Sequence, residues 1–493
     1  MVVRHLISRS VLLLTPLAFL LLGGFDSLRA SPRWWKGNLH THSLWSDGDD
    51  YPEMITAWYR TNDYHFLGIS DHNTLQNSKD RWISPIAGIN NDVFRKYLEH
   101  FGSTWIEQRM VNGTNFQVRL KSFNEYRGLF EATNEFLLLQ NEEITGGYYS
   151  WPVHLVASNV RELIFTPGGR SVLEVLQNSI NLVNAQREAT GQPMIVHVAH
   201  PNYGWGITAE DLAQLRGEKF FEVYSGHPVV NSLGDAQHPS TERMWDILLT
   251  QRLSQLNLEP LFGLAVDDAH QYQLQSPGAA NAGRGWVMVR AETLSPKSLI
   301  VALEAGDFYS SSGVTLNDVR RDTNRLYIDI RAETNVTYVT QFIGTRINYD
   351  PASEPIRDGA GAVLPITRVY SKSVGQTLAE MAGPNPTYTF QGNEYYVRAK
   401  IISSKPKMNP ALTLPNEVEC AWTQPMVVRL PKLSIGRAAP GSLRLSSPDS
   451  SFNFQIQKSF DLIHWSPANP IDLPPNSLST TGQVFFRAVV PVN

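Results

Sequence analysis

The sequence predicts an α/β domain with parallel strands closed as a barrel, followed by one or two small all-β modules. Three observations predict it. From residue 34 to about 313, short apolar runs alternate with helix-like segments. Seven of those runs contain a His, Asp or Glu or are followed by one within two residues. After Asp318 the texture changes to apolar–polar alternation with Gly, Pro and Asn between the runs. A chain of 493 residues has room for about two to four cores. At 42% hydrophobic and 18% charged residues, with 12 Trp and 18 Tyr, it has a globular composition.

In chain order, Arg4 and Arg9 precede an apolar stretch over 11–24, and Leu28-Arg29-Ala30 ends on a small residue suited to cleavage. Residues 1–30 are therefore expected to be a signal peptide, and the protein to be exported, to the periplasm or outside the cell. Pro16 interrupts the stretch, which falls short of the ~20 apolar residues of a spanning helix. Removing the segment leaves 39 basic against 45 acidic side chains, a net charge of −6. No basic tract offsets that balance, so nucleic acid is disfavoured as a partner and a small molecule fits better. Cys420 is the only cysteine, which excludes an intrachain disulfide; a small buried hydrophobe is the expectation for it.

Residues 31–318 are expected to form the barrel. Its strands are 35–39, 66–70, 136–140, 152–157, 194–198, 220–224 and 261–266, and its helices include 52–61, 171–188, 209–216 and 241–256. Thr208 and Ser240 are placed to cap the last two. Residues 76–135 are too many for a bare loop, so a partly ordered insertion is expected to shape or cover the pocket. Residues 319–430 read as a β-sandwich, with alternation at 325–332, 336–343 and 395–402. Residues 431–493 read as a small C-terminal β module with strands at 452–457 and 484–490. Its run "KSFDLIHWSP" resembles a segment that recurs in C-terminal β modules of large exported bacterial proteins. The β modules are candidate contacts to polysaccharide, a cell surface or the barrel itself.

The chemistry is concentrated at the strand ends. In "GNLHTHSLWSDG", His40 and His42 alternate and so point to one side, Asp47 follows in a turn, and Gly48 lets the chain fold back. Two imidazoles on one face suit a divalent metal. The pattern recurs: His72 in "GISDHNT", Glu142 and Glu143 in "LLLQNEEIT", His154 in "PVHLVAS", His197 and His200 in "IVHVAHP", and Asp267, Asp268 and His270 in "GLAVDDAH". With only 13 histidines in the chain, this concentration is hard to attribute to chance. The C-terminal strand ends of a parallel barrel converge on one mouth, so these residues would build one site. Imidazoles and carboxylates together suit Zn, Mn or Fe better than Ca or Mg.

Other residues carry weaker expectations. His197 is read as a packed core histidine, and Glu142 and Asp267 either as partners that orient imidazole N–H groups or as surface charge. Glu222 and His227 in "EVYSGHP" would line the pocket or donate a proton. Arg284, between Gly283 and Gly285, would bind a substrate anion through its planar guanidinium or, as arginines in glycine turns more often are, be merely solvated. "YSSSGV" is read as a turn.

The ordered set His40-x-His42, Asp47, His72, Glu143, His154, His200, Asp268-x-His270 resembles the PHP family, the polymerase and histidinol phosphatase metallohydrolases, over about residues 33–313. The resemblance is closest to the exported branch of PHP domain-containing proteins. It implies a distorted (β/α)7 barrel and two or three divalent ions. One would be held by His40, His42, Glu143 and Asp268. A second, bridged by Glu143, would be held by His154 and His200, and a third by Asp47, His72 and His270. Glu143 is preferred to Glu142 because "EIT" matches the family's segment, and Asp268 to Asp267 because the family reads Asp-x-His. The sequence departs from the family in its longer insertion after His72 and in Asp47, where some members have His. The implied activity is hydrolysis of phosphate mono- or diesters by a metal-bridging hydroxide, with a protonated imidazole, His270 among the candidates, assisting the leaving group. Alternatives on the same site are a carboxylic or carbamate ester or amide hydrolase and an exonuclease-like phosphodiesterase. A non-catalytic binding module is the alternative of another class. Arginines at the mouth would favour phosphate, and a Trp-lined pocket from 81–110 a neutral ester.

Overall fold

The computed structural model describes residues 31–85, 88 and 91–428, together with the backbone of strands Ser434–Ala439, Ser442–Ser446, Gln455–Ser459, Ser466–Pro467 and Phe485–Val489. The segment read as a signal peptide and most of the C-terminal module lie outside these residues. Two of the strands that are described, Gln455–Ser459 and Phe485–Val489, overlap the expected 452–457 and 484–490.

Seven strands hydrogen-bond in sequence order: β1 (Arg33–Asn38), β2 (Phe66–Ile69), β3 (Leu137–Tyr148), β4 (Trp151–Ser158), β5 (Ile195–Val198), β6 (Phe220–Ser225) and β7 (Phe262–Val266). The pairs β1–β2, β2–β3, β5–β6 and β6–β7 are parallel. β4 runs antiparallel to both neighbours, which corrects the expectation of seven parallel strands. The reason is chain length: β3 continues eight residues past Gln140, so two residues, Tyr149 and Ser150, join it to β4. A parallel crossover needs a dozen or more, and a two-residue link makes a hairpin. Tyr149 takes the positive φ (53°) of such a turn.

Beyond the strand ends the chain pairs again. Thr41 bridges Ala269 in parallel, with Asp268 N–H donating to the His40 carbonyl (3.0 Å) and His42 N–H to the Ala269 carbonyl (2.9 Å). His72 likewise bridges Glu143. The end of the first strand thus meets the end of the seventh. Alternate residues along the strands bury opposite faces. Leu139, Ile195, Phe220 and Leu264 join Trp35, Leu39 and Phe66 in one core. Val196, Val198, Phe221 and Ala265 join the second, shared with the helices. Each buried Val, Leu, Ile or Phe among them contributes about 1.5–3 kcal/mol relative to exposure.

The helices are α1 (Pro52–Thr61), α2 (Asp92–Phe101), α3 (Phe123–Phe130), α4 (Val172–Thr190), α5 (Ala209–Gln214), α6 (Thr241–Ser254) and α7 (Pro296–Glu304). Thr208 caps α5 in a reciprocal box with Asp211, and Ser240 caps α6 by accepting from Arg243 N–H. The insertion contributes α2, α3 and a small antiparallel sheet of Trp82–Ile83, Gln108–Val111 and Asn115–Arg119. Phe94, Tyr97, Phe116 and Val118 from it pack with Trp45 and Tyr51, which flank the turn holding Asp47.

The sheet does not stop at β1. It continues through β8 (Trp286–Ala291) and β9 (Phe308–Ser311) into β13 (Val418–Thr423), β12 (Glu394–Pro406), β10 (Tyr338–Arg346) and β11 (Gln376–Ala382). A three-stranded sheet of Leu316–Arg321, Arg325–Ile330 and Thr387–Thr389 shares a core with it through Leu326, Ile328, Phe342, Val397, Ala399 and Ile401. Arg398 of β12 grips Asp246 of α6 through two bonds, Nε to Oδ1 (2.8 Å) and Nη2 to Oδ2 (2.7 Å), with both side chains buried. Cys420 is buried in β13, where burial pushes its thiol up to about 12.

Candidate metal centre

The residue pair after β1 is held on both sides, by the segment after β7 and by Ser70, whose N–H donates to the Thr41 carbonyl (2.8 Å). His40 and His42 therefore project together, their Nε2 atoms 3.1 Å apart. The following turn is clamped by buried Asp71. Its carboxylate accepts from Ser43 N–H (2.8 Å), Ser43 Oγ (2.8 Å), Ser46 Oγ (2.7 Å) and Gln76 Nε2 (2.7 Å). That clamp delivers Asp47 to the same mouth.

Four donor atoms, two from the segment after β1 and one each from β3 and the segment after β7, lie close together. His40 Nε2 lies 3.4 Å from Glu143 Oε2 and 3.3 Å from Asp268 Oδ1, and His42 Nε2 lies 3.3 and 3.2 Å from the same two oxygens. A tetrahedral metal bound at ~2.0 Å needs ligand–ligand edges of roughly 3.3 Å. Glu143 Oε2 is buried and makes no hydrogen bond, although it sits 2.9–3.4 Å from three imidazoles, those of His40, His42 and His72. A buried carboxylate oxygen left in that position is what a cation would satisfy.

The other oxygen of Glu143 faces a second group. Oε1 is 2.9 Å from His154 Nδ1 and 3.2 Å from His200 Nε2. Asp47 draws a third: its Oδ2 is 3.4 Å from His72 Nε2 and its Oδ1 is 3.4 Å from His270 Nε2. The sets His40–His42–Asp268, His40–Glu143–His200 and His42–Asp47–His72–His270 each bring ligand atoms close enough to share one ion. The donors, imidazole with carboxylate, fit Zn, Mn or Fe.

Charge reinforces the fit. Burial alone would raise the Glu143 and Asp268 carboxyls, but the surrounding imidazoles, His40 foremost, hold both well below the usual carboxylate range. Burial and then the neighbouring His270 push His42 down to about 3, so its ring is neutral and able to ligate. Two members sit in left-handed backbone, His200 (φ 22°) and Asp268 (φ 50°), a local strain that packing must sustain.

The chain resembles PHP-like metal-dependent phosphoesterases of solved structure. One is a two-domain protein from Bacteroides vulgatus containing a predicted PHP-like metal-dependent phosphoesterase. It is 14% identical over 79% of this chain and 94% of its own, with a TM-score of 0.33. Another, from Bifidobacterium adolescentis, is provisionally assigned as a metal-dependent phosphoesterase. It is 14% identical over 49% of this chain and 89% of its own, with a TM-score of 0.24. At such scores the likeness carries no argument about this chain, and the site stands on its own residues. No family model and no curated protein matches.

The structure thus brings together His40, His42, Asp47, His72, Glu143, His154, His200, Asp268 and His270. Other candidates fall elsewhere. Glu142 turns away and accepts from Ile164 N–H (2.9 Å), its carboxyl pushed up to about 7 by burial. It orients no imidazole. Asp267 anchors the 283–285 loop, accepting from the N–H groups of Gly283 (2.9 Å), Arg284 (2.6 Å) and Gly285 (2.8 Å) and from Tyr59 Oη (2.7 Å). Arg284 corrects the expectation of an anion receptor. Its guanidinium is fully buried and donates to the carbonyls of Gly226 (2.8 Å), Ala279 (2.7 Å), Ser276 (2.9 Å) and Asn409 (3.0 Å), leaving nothing for substrate. "YSSSGV" begins as strand β9 rather than a turn, and the Ser310 and Ser311 hydroxyls donate to the Gly263 and Val314 carbonyls (both 2.7 Å).

Glu222 is a further correction, neither lining the mouth nor free to donate a proton. One oxygen contacts His40 Nδ1 (2.6 Å) and His197 Nε2 (3.0 Å), and the other accepts from His200 N–H (2.7 Å). Burial raises its carboxyl, yet the two imidazoles hold it at about 2. It fixes the ring of His40 with Nε2 inward. His197, buried as expected, supports that carboxylate. His227 is half-buried at the rim, its ring 5.1 Å from that of His270, and its Nδ1 accepts from Val229 N–H (3.3 Å).

Sequence reasoning missed Asp71 and Tyr272, whose hydroxyl donates to the His42 carbonyl (3.0 Å). Asp71 directly precedes His72 in "SDH", a signal open to use. Nothing local marks Tyr272.

Proposed function

We propose that this protein is an exported metal-dependent hydrolase of the PHP type, acting on phosphate mono- or diesters. The observation that carries the reading is the cluster of His40, His42, Glu143 and Asp268 together with the second oxygen of Glu143 facing His154 and His200. Two or three divalent ions fit these donors, with Asp47, His72 and His270 the third set. When bound, such ions supply Lewis acidity toward a phosphoryl oxygen and water acidified toward neutral pH.

The chain's own residues do the rest. Glu143 spans two sets and fixes their spacing. Glu222 sets the tautomer of His40 by accepting from its Nδ1, which leaves Nε2 free to ligate. His227 accepts at Nδ1 and so carries its proton on Nε2, from which it hydrogen-bonds a leaving-group oxygen at the rim. The signal-like segment supports export, and the β modules would hold the enzyme at polysaccharide or a cell surface.

A carboxylic ester is the second reading. It is favoured by one observation: among the described residues no arginine or lysine forms an ion pair with any of the nine donors. The tryptophans of the insertion do not add to it, because Trp105 donates to Glu53 (3.0 Å) and Trp82 stacks under Arg109. Turnover of aryl phosphate monoesters, aryl phosphate diesters and aryl carboxylic esters, after loading with Zn, Mn or Fe, separates the readings. Phosphate turnover is expected. Activity on carboxylic esters alone moves the assignment to the second, and no turnover under any metal overturns the hydrolase.

A further inference from the structure

The loop that follows His200 is built to hold an aromatic ring beside the metal donors. Tyr203 opens a single 3-10 turn, Tyr203–Trp205, and its N–H donates to the His200 carbonyl (2.8 Å). Its ring centroid lies 5.3 Å from that of His200 and 5.9 Å from that of His154, the two imidazoles that face Glu143 Oε1. The side chain is nevertheless 37% exposed, and its hydroxyl bonds no described residue. The ring beside these two imidazoles is thus left partly open.

The loop is also rigid. Gly204 and Trp205 both take φ 55°, a conformation costly for Trp205. The turn is pressed against Pro152, two residues before His154. A Cβ on Gly206 would stand 2.1 Å from the Pro152 carbonyl oxygen, and one on Gly204 3.0 Å from its ring. Asn202 Nδ2 ties the loop to the Asn231 and Pro239 carbonyls (both 3.0 Å), and Trp205 stacks on His238 with ring centroids 4.0 Å apart. Strain of this kind, retained at a site and fixed on three sides, preorganises what the loop displays.

Resting on the hydrolase reading above, we propose that Tyr203 is the substrate-ring subsite of this enzyme: the substrate is an ester bearing a planar aromatic ring, which stacks on Tyr203 while its anionic end meets the metals. A ring stacked or edge-on to Tyr203 has its centroid roughly 4.5–7 Å from it. With the Tyr203 ring 5.3–5.9 Å from those of His200 and His154, a ring on its open side lies in the neighbourhood of the donors. With no arginine or lysine among the described residues paired to the donor set, the aromatic face is what distinguishes one ester from another.

The test is calorimetric titration of the metal-loaded full chain with phenylphosphonate and with methylphosphonate, which share an anion and differ in the ring. Phenyl phosphate turnover is followed in parallel. The wild type is expected to bind the phenyl ligand about 3–10-fold more tightly. Tyr203→Ala is expected to bring that ratio to about one and Tyr203→Phe to keep it, because the ring and not the hydroxyl selects. A ratio near one in the wild type, a ratio that survives Tyr203→Ala, or no binding of either ligand overturns the subsite. If esters are hydrolysed while the ratio ignores Tyr203, the subsite fails and the hydrolase stands. If the ratio depends on Tyr203 but no ester is cleaved, the subsite stands and the hydrolase fails.

Discussion

At the scale of single residues, the site is a set of buried charges held in place by a ring of polar partners. Glu222 is the clearest partner, since it touches His40, His197 and the His200 backbone. Glu222→Gln keeps its shape but not its charge, and metal affinity is expected to fall about 10–100-fold, read by competition against a chelator. Unchanged affinity would remove its orienting role. Arg284→Met leaves several buried carbonyls without a donor and is expected to cost on the order of 3 kcal/mol or more in urea denaturation. Asp50 gives a pH signature away from the donors. Its carboxyl is buried and pushed up to about 7, chiefly by burial, with Asp49 adding repulsion. A carboxyl raised on folding favours the protonated form, so its contribution is present below pH ~4 and lost as pH rises through ~7. Relative to Asp50→Asn, the wild type is expected to lose stability across that window by a few kcal/mol; parallel curves would contradict the assignment.

The nine clustered residues were legible in the sequence because most of them lie in or just after an apolar run, and strands laid side by side gather such positions. Glu143 could be told from Glu142 only by a family match, and geometry explains the difference: the two alternate on β3, one facing the cluster and the other Ile164. Arg284 was misread because a glycine-flanked arginine looks exposed, while the carbonyls that bury it come from 226, 276, 279 and 409. Partners that distant leave no local trace.

At the scale of elements, strand positions and caps follow from periodicity, but strand direction does not. The direction of β4 depended on how far β3 ran past Gln140, and "NEEITGGY" carries polar residues that disguise its continuation. The capping box of α5 is testable. Thr208→Ala removes an acceptor for Asp211 N–H and is expected to cost about 1 kcal/mol in urea denaturation. A change near zero would mean that packing of Leu212 and Ala213 alone holds the helix.

At the scale of the whole molecule, the change of sequence texture after residue 318 does not mark a break in the sheet. β9 pairs with β13, Arg398 grips Asp246, and Arg284 reaches the Asn409 carbonyl. A fragment of residues 31–318 would expose the β9 edge and orphan Asp246 and part of Arg284. It is expected to lack a cooperative unfolding transition, whereas a soluble fragment with a sharp transition would show an independently folding unit. Texture is a local property, and nothing in it reports which strand edges will meet.

The central claim is that one cluster of imidazoles and carboxylates holds metal, and elemental analysis of the purified chain beside Glu143→Gln tests it most directly. Two or three Zn, Mn or Fe per wild-type chain are expected, and a loss of at least one ion in the variant because Glu143 serves two sets. A wild type that stays metal-free after reconstitution with each ion, or a variant with undiminished metal, would contradict it.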